Sequence, residues 1–232
     1  MERSELFDRY SAVLSRMDDA CRASGRPRGS VRLVAVSKFH PADAIRAAAS
    51  FGQRDFGENY VQEASAKMAE LADLRLSWHA IGHIQSNKAK DCAGKFALLH
   101  TLSTRSLLAA LTKRMPEGSR QDVLIEVNMG AEEQKSGISP SELPAFAADV
   151  AAEPKLSLRG LMCIPPAAGP DEARPWFAAL RELRDSLGKK LGIPLPELSM
   201  GMSADFPAAI AEGATIIRVG TDIFGPRPAR PF

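Results

Sequence analysis

Cysteine is scarce in this sequence of 232 residues, and the few cysteines are far apart. Cys21, Cys92 and Cys163 are odd in number and show no CxxC spacing. Disulfide-stapled domains carry an even set of cysteines, and cysteine zinc sites use closely spaced pairs. The sequence therefore predicts neither a disulfide framework nor a zinc site, and we expect the three side chains to fill small apolar spaces.

Long apolar runs and an excess of one charge are also missing. No apolar run approaches the roughly 18 residues that a membrane-spanning helix requires. The first five residues, MERSE, are charged where a signal peptide would become apolar. Lys and Arg number 30 against 28 Asp and Glu, and they form no basic stripe. We therefore expect a cytoplasmic protein that binds neither membranes nor nucleic acid.

Short apolar runs alternate with helical stretches along almost the whole chain. Near-continuous apolar strands that alternate with helices are typical of a parallel sheet. The eight predicted strands are residues 31–37, 55–58, 78–82, 97–102, 123–127, 158–164, 198–200 and 216–219. The helical stretches between them are residues 41–51, 60–74, 87–93, 104–115, 141–152, 171–191 and 205–212.

Eight strand–helix repeats predict an α/β fold, a closed (β/α)8 TIM barrel, with an additional leading helix in residues 1–25. An open, doubly wound sheet is the alternative, and the number of strands favours the barrel. One domain over residues 1–232 fits this fold, because α/β barrels of about 200–250 residues form a single unit. Residues 226–232 are rich in proline, and we expect them to form a flexible tail.

The residues that directly follow the strands are the candidate functional residues, because TIM barrels carry their sites at that end. Lys38 follows the first strand. A lysine amine condenses with an aldehyde when it is neutral, which a partly desolvated strand end favours. A strand-end lysine can equally be a solvated surface residue, so Lys38 needs a cofactor site around it to carry a function.

A phosphate site is predicted at the last two turns of the barrel. Gly201 and Ser203 follow the seventh strand, and Gly220 and Thr221 follow the eighth. Glycines let backbone N–H groups approach an anion, a helix begins after the first of these turns, and the hydroxyls add donors. Barrel enzymes often bind phosphate between these two loops. Simple helix capping by one hydroxyl is the alternative.

Arg218 lies within the last predicted strand. Strand alternation places it on the same face as Ile216 and Gly220, so it can point into the barrel. A buried charge needs a partner. The partner is either a cofactor ring nitrogen or a core carboxylate such as Glu58 or Glu126.

Eight short blocks of the sequence, in the same order and across nearly the whole chain, resemble the pyridoxal phosphate homeostasis proteins. The blocks are VAVSK (34–38), FGENYVQE (56–63), WHAIG (78–82), QSNK (85–88), KSG (135–137), RGLM (159–162), GMS (201–203) and RVGT (218–221). Each block alone is weak, and the set of eight is highly specific.

This resemblance implies a barrel similar to the N-terminal domain of alanine racemase, with pyridoxal 5'-phosphate (PLP) bound covalently to Lys38 as a Schiff base. Ser203, Gly220 and Thr221 would hold the phosphate, and Arg218 would face the pyridine nitrogen. The implied function is to carry or buffer PLP and so to maintain vitamin B6 homeostasis, without a defined catalytic reaction.

The same resemblance assigns Asn59 and Met162 to the ring pocket. Lys135 matches a lysine near the mouth that would help to move the cofactor, although it can equally be a free loop lysine. The proline-rich tail lacks the lysines that some relatives carry there, and His83 stands where many relatives have proline. We assign no role to His83.

A PLP-dependent enzyme, such as a slow amino acid racemase, is the alternative function. Racemisation needs two bases on opposite faces of the cofactor, and the sequence offers no evident second base, because Tyr10 and Tyr60 are its only tyrosines. A Schiff-base aldolase without PLP is disfavoured, since the sixth strand lacks a lysine. The expected partners are PLP and apo forms of PLP-dependent enzymes, and a monomer is expected from the resemblance.

Overall fold

The computed structural model describes residues 2–132, 134–166 and 169–226 of the chain. Eight parallel strands form a closed barrel in the order β1 to β8, and β1 pairs with β8 to complete the ring. The strands are β1 Arg32–Val36, β2 Asp55–Glu58, β3 Ser77–Ala80, β4 Leu98–Leu102, β5 Gln121–Glu126, β6 Leu156–Met162, β7 Glu197–Ser199 and β8 Ile216–Val219. The predicted (β/α)8 barrel is confirmed.

Helices connect successive strands, and one further helix precedes the barrel. They are α1 Arg3–Ala23, α2 Ala42–Ser50, α3 Val61–Glu70, α4 Ala89–Cys92, α5 Arg105–Arg114, α6 Leu143–Ala152, α7 Pro170–Leu191, α8 Phe206–Ala211 and α9 Thr221–Phe224. A short 3-10 helix, Ser86–Lys88, precedes α4. The leading helix is therefore confirmed within residues 1–25. The four-residue α9 was not predicted, and residues 227–232 of the predicted tail lie outside the described residues.

Most strand residues are buried, which explains the apolar runs of strands such as β1 and β5. The larger core lies between the barrel and its helices, and α1 joins it through Leu6, Tyr10 and Val13. A second, smaller apolar cluster draws one side chain from each of five strands, which places it inside the barrel; its members are Val34, Leu98, Leu124, Met162 and Ile216.

Local signals explain two of the helix ends. The Thr104 side chain accepts a hydrogen bond from the Leu107 amide and so caps α5. Gly192 ends α7 in the left-handed conformation, with φ of 65°. Within the described ranges, no helix is both long and apolar enough to cross a membrane.

A candidate cofactor site at the carboxyl ends of the strands

A cavity of about 290 Å³ opens at the carboxyl ends of the barrel strands. This volume lies near the lower end of the range of about 300–1,000 Å³ that is typical of small-molecule sites. The residues that line it come from both ends of the chain and include Val36, Lys38, His40, Asn59, Ile81, Ile164, Met202, Ser203, Ala204, Arg218, Gly220 and Thr221. Six of the seven predicted site residues therefore lie around one cavity.

Lys38 lies half-buried in the turn that follows β1. The next residue, Phe39, has a φ of 67°. Residues other than glycine rarely adopt this left-handed backbone conformation unless their surroundings stabilise it. The support comes from Glu63 of α3, whose Oε1 accepts the Phe39 amide at 2.6 Å. The turn that presents Lys38 is thus held from the following helix.

A buried ion pair lies directly behind this turn. Lys67 Nζ donates to Glu58 Oε1 at 2.7 Å and to the Ser37 carbonyl at 2.8 Å. Ser37 Oγ donates to the same Glu58 oxygen at 2.7 Å. Burial raises the pKa of Glu58 from its ordinary value, and the neighbouring Lys67 opposes that shift. The peptide that precedes Lys38 is therefore tied to both β2 and α3.

The predicted phosphate site is a concave surface of backbone and hydroxyl donors. Ser203 and Ala204 line the cavity from the β7–α8 loop, and Gly220 and Thr221 line it from the β8–α9 turn. No described hydrogen bond has the amide N–H of Ser203, Ala204 or Gly220 as its donor. These N–H groups are thus available to an anion, as the chemistry of a phosphate site requires.

Gly201 allows the chain to turn tightly into this loop. Its φ is 93°, and a Cβ at this position would lie 2.6 Å from Ala209 Cβ. Asp205 Oδ1 then accepts the Met202 amide at 2.6 Å, which closes the turn ahead of α8. The glycine is therefore required both by its conformation and by the close packing of α8.

Arg16 of α1 joins the two phosphate loops from behind. Its Nη2 donates to the Ser203 carbonyl at 3.1 Å, and its Nη1 pairs with Asp222 Oδ2 at 2.6 Å. The guanidinium also lies over the Phe206 ring, 4.5 Å from its centroid. Sequence reasoning missed Arg16, because the helical periodicity of α1 gives no sign of a contact with Asp222, 206 residues away.

Arg218 is buried and points into the barrel, where it lines the floor of the cavity. Nη1 donates to Ser199 Oγ at 2.6 Å, and Nη2 donates to the Cys163 carbonyl at 3.0 Å. Burial lowers the pKa of Arg218, and the Glu126 carboxyl is among the groups that oppose this shift. Neither Glu58 nor Glu126 forms a described ion pair with it. A ring nitrogen thus remains a suitable further acceptor for the guanidinium.

The other residues singled out in the sequence lie in different places. Asn59 lines the cavity. Met162 is fully buried in the interior cluster, and the described cavity lining does not include it. Lys135 Nζ pairs with Glu132 at 2.5 Å and donates to the Pro165 carbonyl at 3.0 Å. His83 is exposed, and its Nδ1 lies 3.3 Å from Ser136 Oγ.

Several lining residues were not predicted, although strand alternation offered a signal for some. Val36 precedes Lys38 by two residues and shares the interior face with Val34. Ile164 follows Met162 by two residues in the same way. His40 gave no such signal, because it lies in the turn, where its ring stacks on Phe224 at 5.1 Å. Across the described residues, no group of three or more His, Cys, Asp or Glu side chains could hold a metal ion.

Comparison with known proteins defines the class to which this barrel and site belong. The family model of the alanine racemase N-terminal domain matches residues 12–228. A pyridoxal phosphate homeostasis protein of Aquifex aeolicus is 45% identical over 222 residues, covering 95% of this chain and 97% of the relative. That of Escherichia coli K12 is 40% identical over 230 residues, covering 97% of each chain. The chain belongs to the pyridoxal phosphate homeostasis protein family.

Solved structures agree with this assignment. PipY of Synechococcus elongatus, solved with PLP bound, is 40% identical with a TM-score of 0.80, covering 92% of this chain and 100% of that one. Alanine racemase of Corynebacterium glutamicum is 18% identical with a TM-score of 0.71, covering 96% of this chain and 63% of that one. The second similarity concerns the fold alone.

Proposed function

We propose that this protein binds PLP in the cavity, with Lys38 as its covalent anchor, and that it carries or buffers the cofactor in vitamin B6 homeostasis. One observation carries the proposal: Lys38, the buried Arg218 and the donors of the last two loops line the same cavity. The Lys38 amine matches the aldehyde of PLP, and the Arg218 guanidinium can donate a hydrogen bond to its pyridine nitrogen. The donors of the last two loops match its phosphate. The PLP-bound PipY, a relative with 40% identity, supports the same ligand.

Lys38 supplies the covalent chemistry in this proposal. Its neutral Nζ adds to the aldehyde carbon, a C=N bond forms, and the aldehyde oxygen leaves as water with the two amine hydrogens. The reaction is reversible, because water can add back and release the aldehyde. A reversible anchor is what a carrier needs, since the cofactor must be surrendered as well as held.

The remaining residues bind and orient the ligand. In this proposal the Ser203, Ala204 and Gly220 amides and the Thr221 hydroxyl hold the phosphate, which their position in the cavity lining supports. Arg218 can only donate hydrogen bonds, so it favours a pyridine nitrogen without a proton. That state weakens the ring as an electron sink, which suits a carrier better than an enzyme of carbanion chemistry. Asn59, which lines the cavity, and Met162, which belongs to the interior cluster, are proposed to contact the ring.

The candidate second bases support a carrier over a racemase. Tyr10 is buried and donates to Gln53 Oε1 at 3.3 Å, so its hydroxyl faces the region between α1 and the barrel. Tyr60 is 45% exposed, and the described lining of the cavity includes no tyrosine. We propose that the protein acts in the cytosol as a monomer and hands PLP to apo-enzymes.

The deciding experiment is an absorbance titration of the purified chain with PLP. The wild type should develop a band near ~420 nm, the absorbance of a protonated PLP Schiff base. Lys38→Ala should lack it, whereas Lys113→Ala, which removes an exposed lysine of α5, should keep it. Borohydride reduction followed by peptide mass analysis should then find the pyridoxyl group on Lys38.

A second measurement separates a carrier from an enzyme. The PLP-loaded protein is incubated with L-amino acids in D2O, and deuterium at the α-carbon is measured. A carrier gives no incorporation above free PLP. Incorporation that disappears in Lys38→Ala would instead identify an enzyme. A wild-type protein without the band, and without an adduct on Lys38, would refute the proposed function.

A further inference from the structure

Polar side chains continue from Arg218 through the interior of the barrel to its opposite end. Arg218 Nη1 lies 2.6 Å from Ser199 Oγ, which lies 2.8 Å from His100 Nδ1. His100 Nε2 lies 2.9 Å from His79 Nδ1, and His79 Nε2 lies 2.9 Å from Asp55 Oδ1. Ser199, His100 and His79 have no exposed surface. Five different strands thus contribute to one continuous series of hydrogen bonds.

With both imidazoles neutral, the direction of every hydrogen bond in this series follows from its two ends. Arginine can only donate, and a carboxylate can only accept. Ser199 Oγ therefore accepts from Arg218 and has its own hydrogen left for His100 Nδ1. His100 must then donate from Nε2 to His79 Nδ1, and His79 donates from Nε2 to Asp55. With both imidazoles neutral, every ring nitrogen in the chain is satisfied.

The surroundings favour a neutral His100. Burial, together with the neighbouring His79 and Arg218, holds the pKa of His100 well below its ordinary value. Arg32 lies near the Asp55 end, with its Nε 4.0 Å from Asp55 Oδ1 and its Nη2 3.7 Å from Glu197 Oε1. Charged side chains, Arg218 at one end and Asp55 with Arg32 at the other, thus stand at the two ends of this series of hydrogen bonds.

We propose that His79, His100 and Ser199 are positioning residues that hold the Arg218 guanidinium toward the cofactor cavity. Without the Ser199 hydroxyl, the Cys163 carbonyl would be the one hydrogen-bond acceptor left to Arg218 among the residues that the structure describes. A long side chain with one anchor can rotate, and a buried guanidinium gains by turning toward another acceptor. The series of hydrogen bonds thus fixes which N–H groups of the guanidinium point toward the ligand. The positioning role rests on the proposed PLP site, whereas the hydrogen bonds themselves can be tested without PLP.

The first test needs no ligand. Histidine side-chain 15N NMR on the full-length protein without PLP should show both His79 and His100 as the Nε2–H tautomer, with an unprotonated Nδ1. Ser199→Ala should shift His100 Nδ1, because it removes the hydrogen-bond donor. Tyr10→Phe is the matched control, since it deletes one buried hydroxyl outside the barrel, and it should leave both rings unchanged. An Nδ1–H tautomer at either residue of the wild type would overturn the proposal.

The second test measures PLP binding. Ser199→Ala should weaken PLP binding about tenfold, as expected for the loss of one hydrogen bond to a charged group, and should shift the absorbance band. Ser199→Thr, which keeps the hydroxyl, and Tyr10→Phe should bind like the wild type. Unchanged affinity and spectrum in Ser199→Ala would overturn the positioning role. If the wild type itself fails to bind PLP, the proposed function fails, while the NMR result still decides the hydrogen-bond chain.

Discussion

Lys67 and Glu58 form an ion pair in the interior, with Nζ 2.7 Å from Oε1 and little or no side-chain exposure on either residue. The same ammonium group donates to the carbonyl of Ser37, the residue before Lys38. The other Glu58 oxygen, Oε2, is buried and has no hydrogen-bond partner within the described structure. The pair therefore holds the end of β1. The cost of removing the Glu58 carboxylate from water is offset only in part, because one of its oxygens has no partner.

Removing Lys67 alone should cost far more stability than replacing both partners. Lys67→Met leaves the Glu58 carboxyl buried without its cation, and we expect the free energy of unfolding to fall by about 3–5 kcal/mol. Lys67→Met combined with Glu58→Leu removes both charges and should recover most of the loss, because apolar replacements of a buried pair are often nearly neutral. Urea unfolding of the three proteins checks this. Equal losses in the single and double variants would contradict it.

The Glu126 carboxyl should make stability depend on pH. Burial raises its pKa from 4.5 to about 7. A group with a raised pKa in the folded state stabilises at low pH, and that contribution is lost as the pH rises through about 7. At about 1.4 kcal/mol per pKa unit, Glu126→Gln should be more stable than the wild type by about 3 kcal/mol at pH 8.

This advantage should fall below about 1 kcal/mol near pH 5, where the folded wild type already carries a protonated carboxyl. Thermal or urea unfolding of both proteins between pH 5 and pH 8 measures the difference. Glu117→Gln, which changes an exposed acid in the turn before β5, is the control and should give no such trend. A pH-independent difference for Glu126→Gln would show that the carboxyl is not the responsible group.

The fold was predictable because most strand residues are buried, so that strands such as β1 (RLVAV) and β5 (QDVLIE) carry apolar runs, and because helices alternate with the strands along the chain. Strand ends differ from the predictions by a residue or two, since polar residues such as Gln121 take part in β5 while their side chains bond to the backbone. The short α9 was missed, because four residues, Thr221–Phe224, are too few to show a helical period.

The candidate site was predictable only in part. Residues directly after strands are brought together by any barrel, which is why Lys38, Asn59, Ser203 and Gly220 could be placed near one another. Contacts that depend on side-chain direction were not predictable, as Arg16 shows by reaching from the first helix to Ser203. Interior polar chains are equally hidden, because strand alternation indicates which face a histidine takes but not which nitrogen meets which partner.

Arg16 should matter for the ligand more than for stability. Its ion pair with Asp222 is 44% and 29% exposed, so Arg16→Met should lower the free energy of unfolding by no more than about 1 kcal/mol. It also releases the Ser203 carbonyl, and we expect PLP affinity to fall about two- to fivefold as the two loops lose their common anchor. Arg22→Met removes a more exposed ion pair of the same helix, with Asp19, and should leave affinity unchanged. Equal affinities in both variants would remove Arg16 from the site.

Gly201 should be far less tolerant of alanine than a glycine of similar backbone conformation elsewhere. At Gly118, φ is 70° and a Cβ meets nothing within 4 Å, so Gly118→Ala should cost only about 1 kcal/mol from backbone strain. At Gly201, φ is 93° and the Cβ would lie 2.6 Å from Ala209 Cβ and 3.0 Å from Phe206 Cα. Because α8 must move to make room, Gly201→Ala should cost about 1–3 kcal/mol more.

The same movement displaces the Ser203 and Ala204 amides, so PLP binding should weaken in Gly201→Ala and persist in Gly118→Ala. Urea unfolding and PLP titration of the two variants provide the comparison, and similar behaviour in both would mean that the contact between this loop and α8 does not shape the anion site.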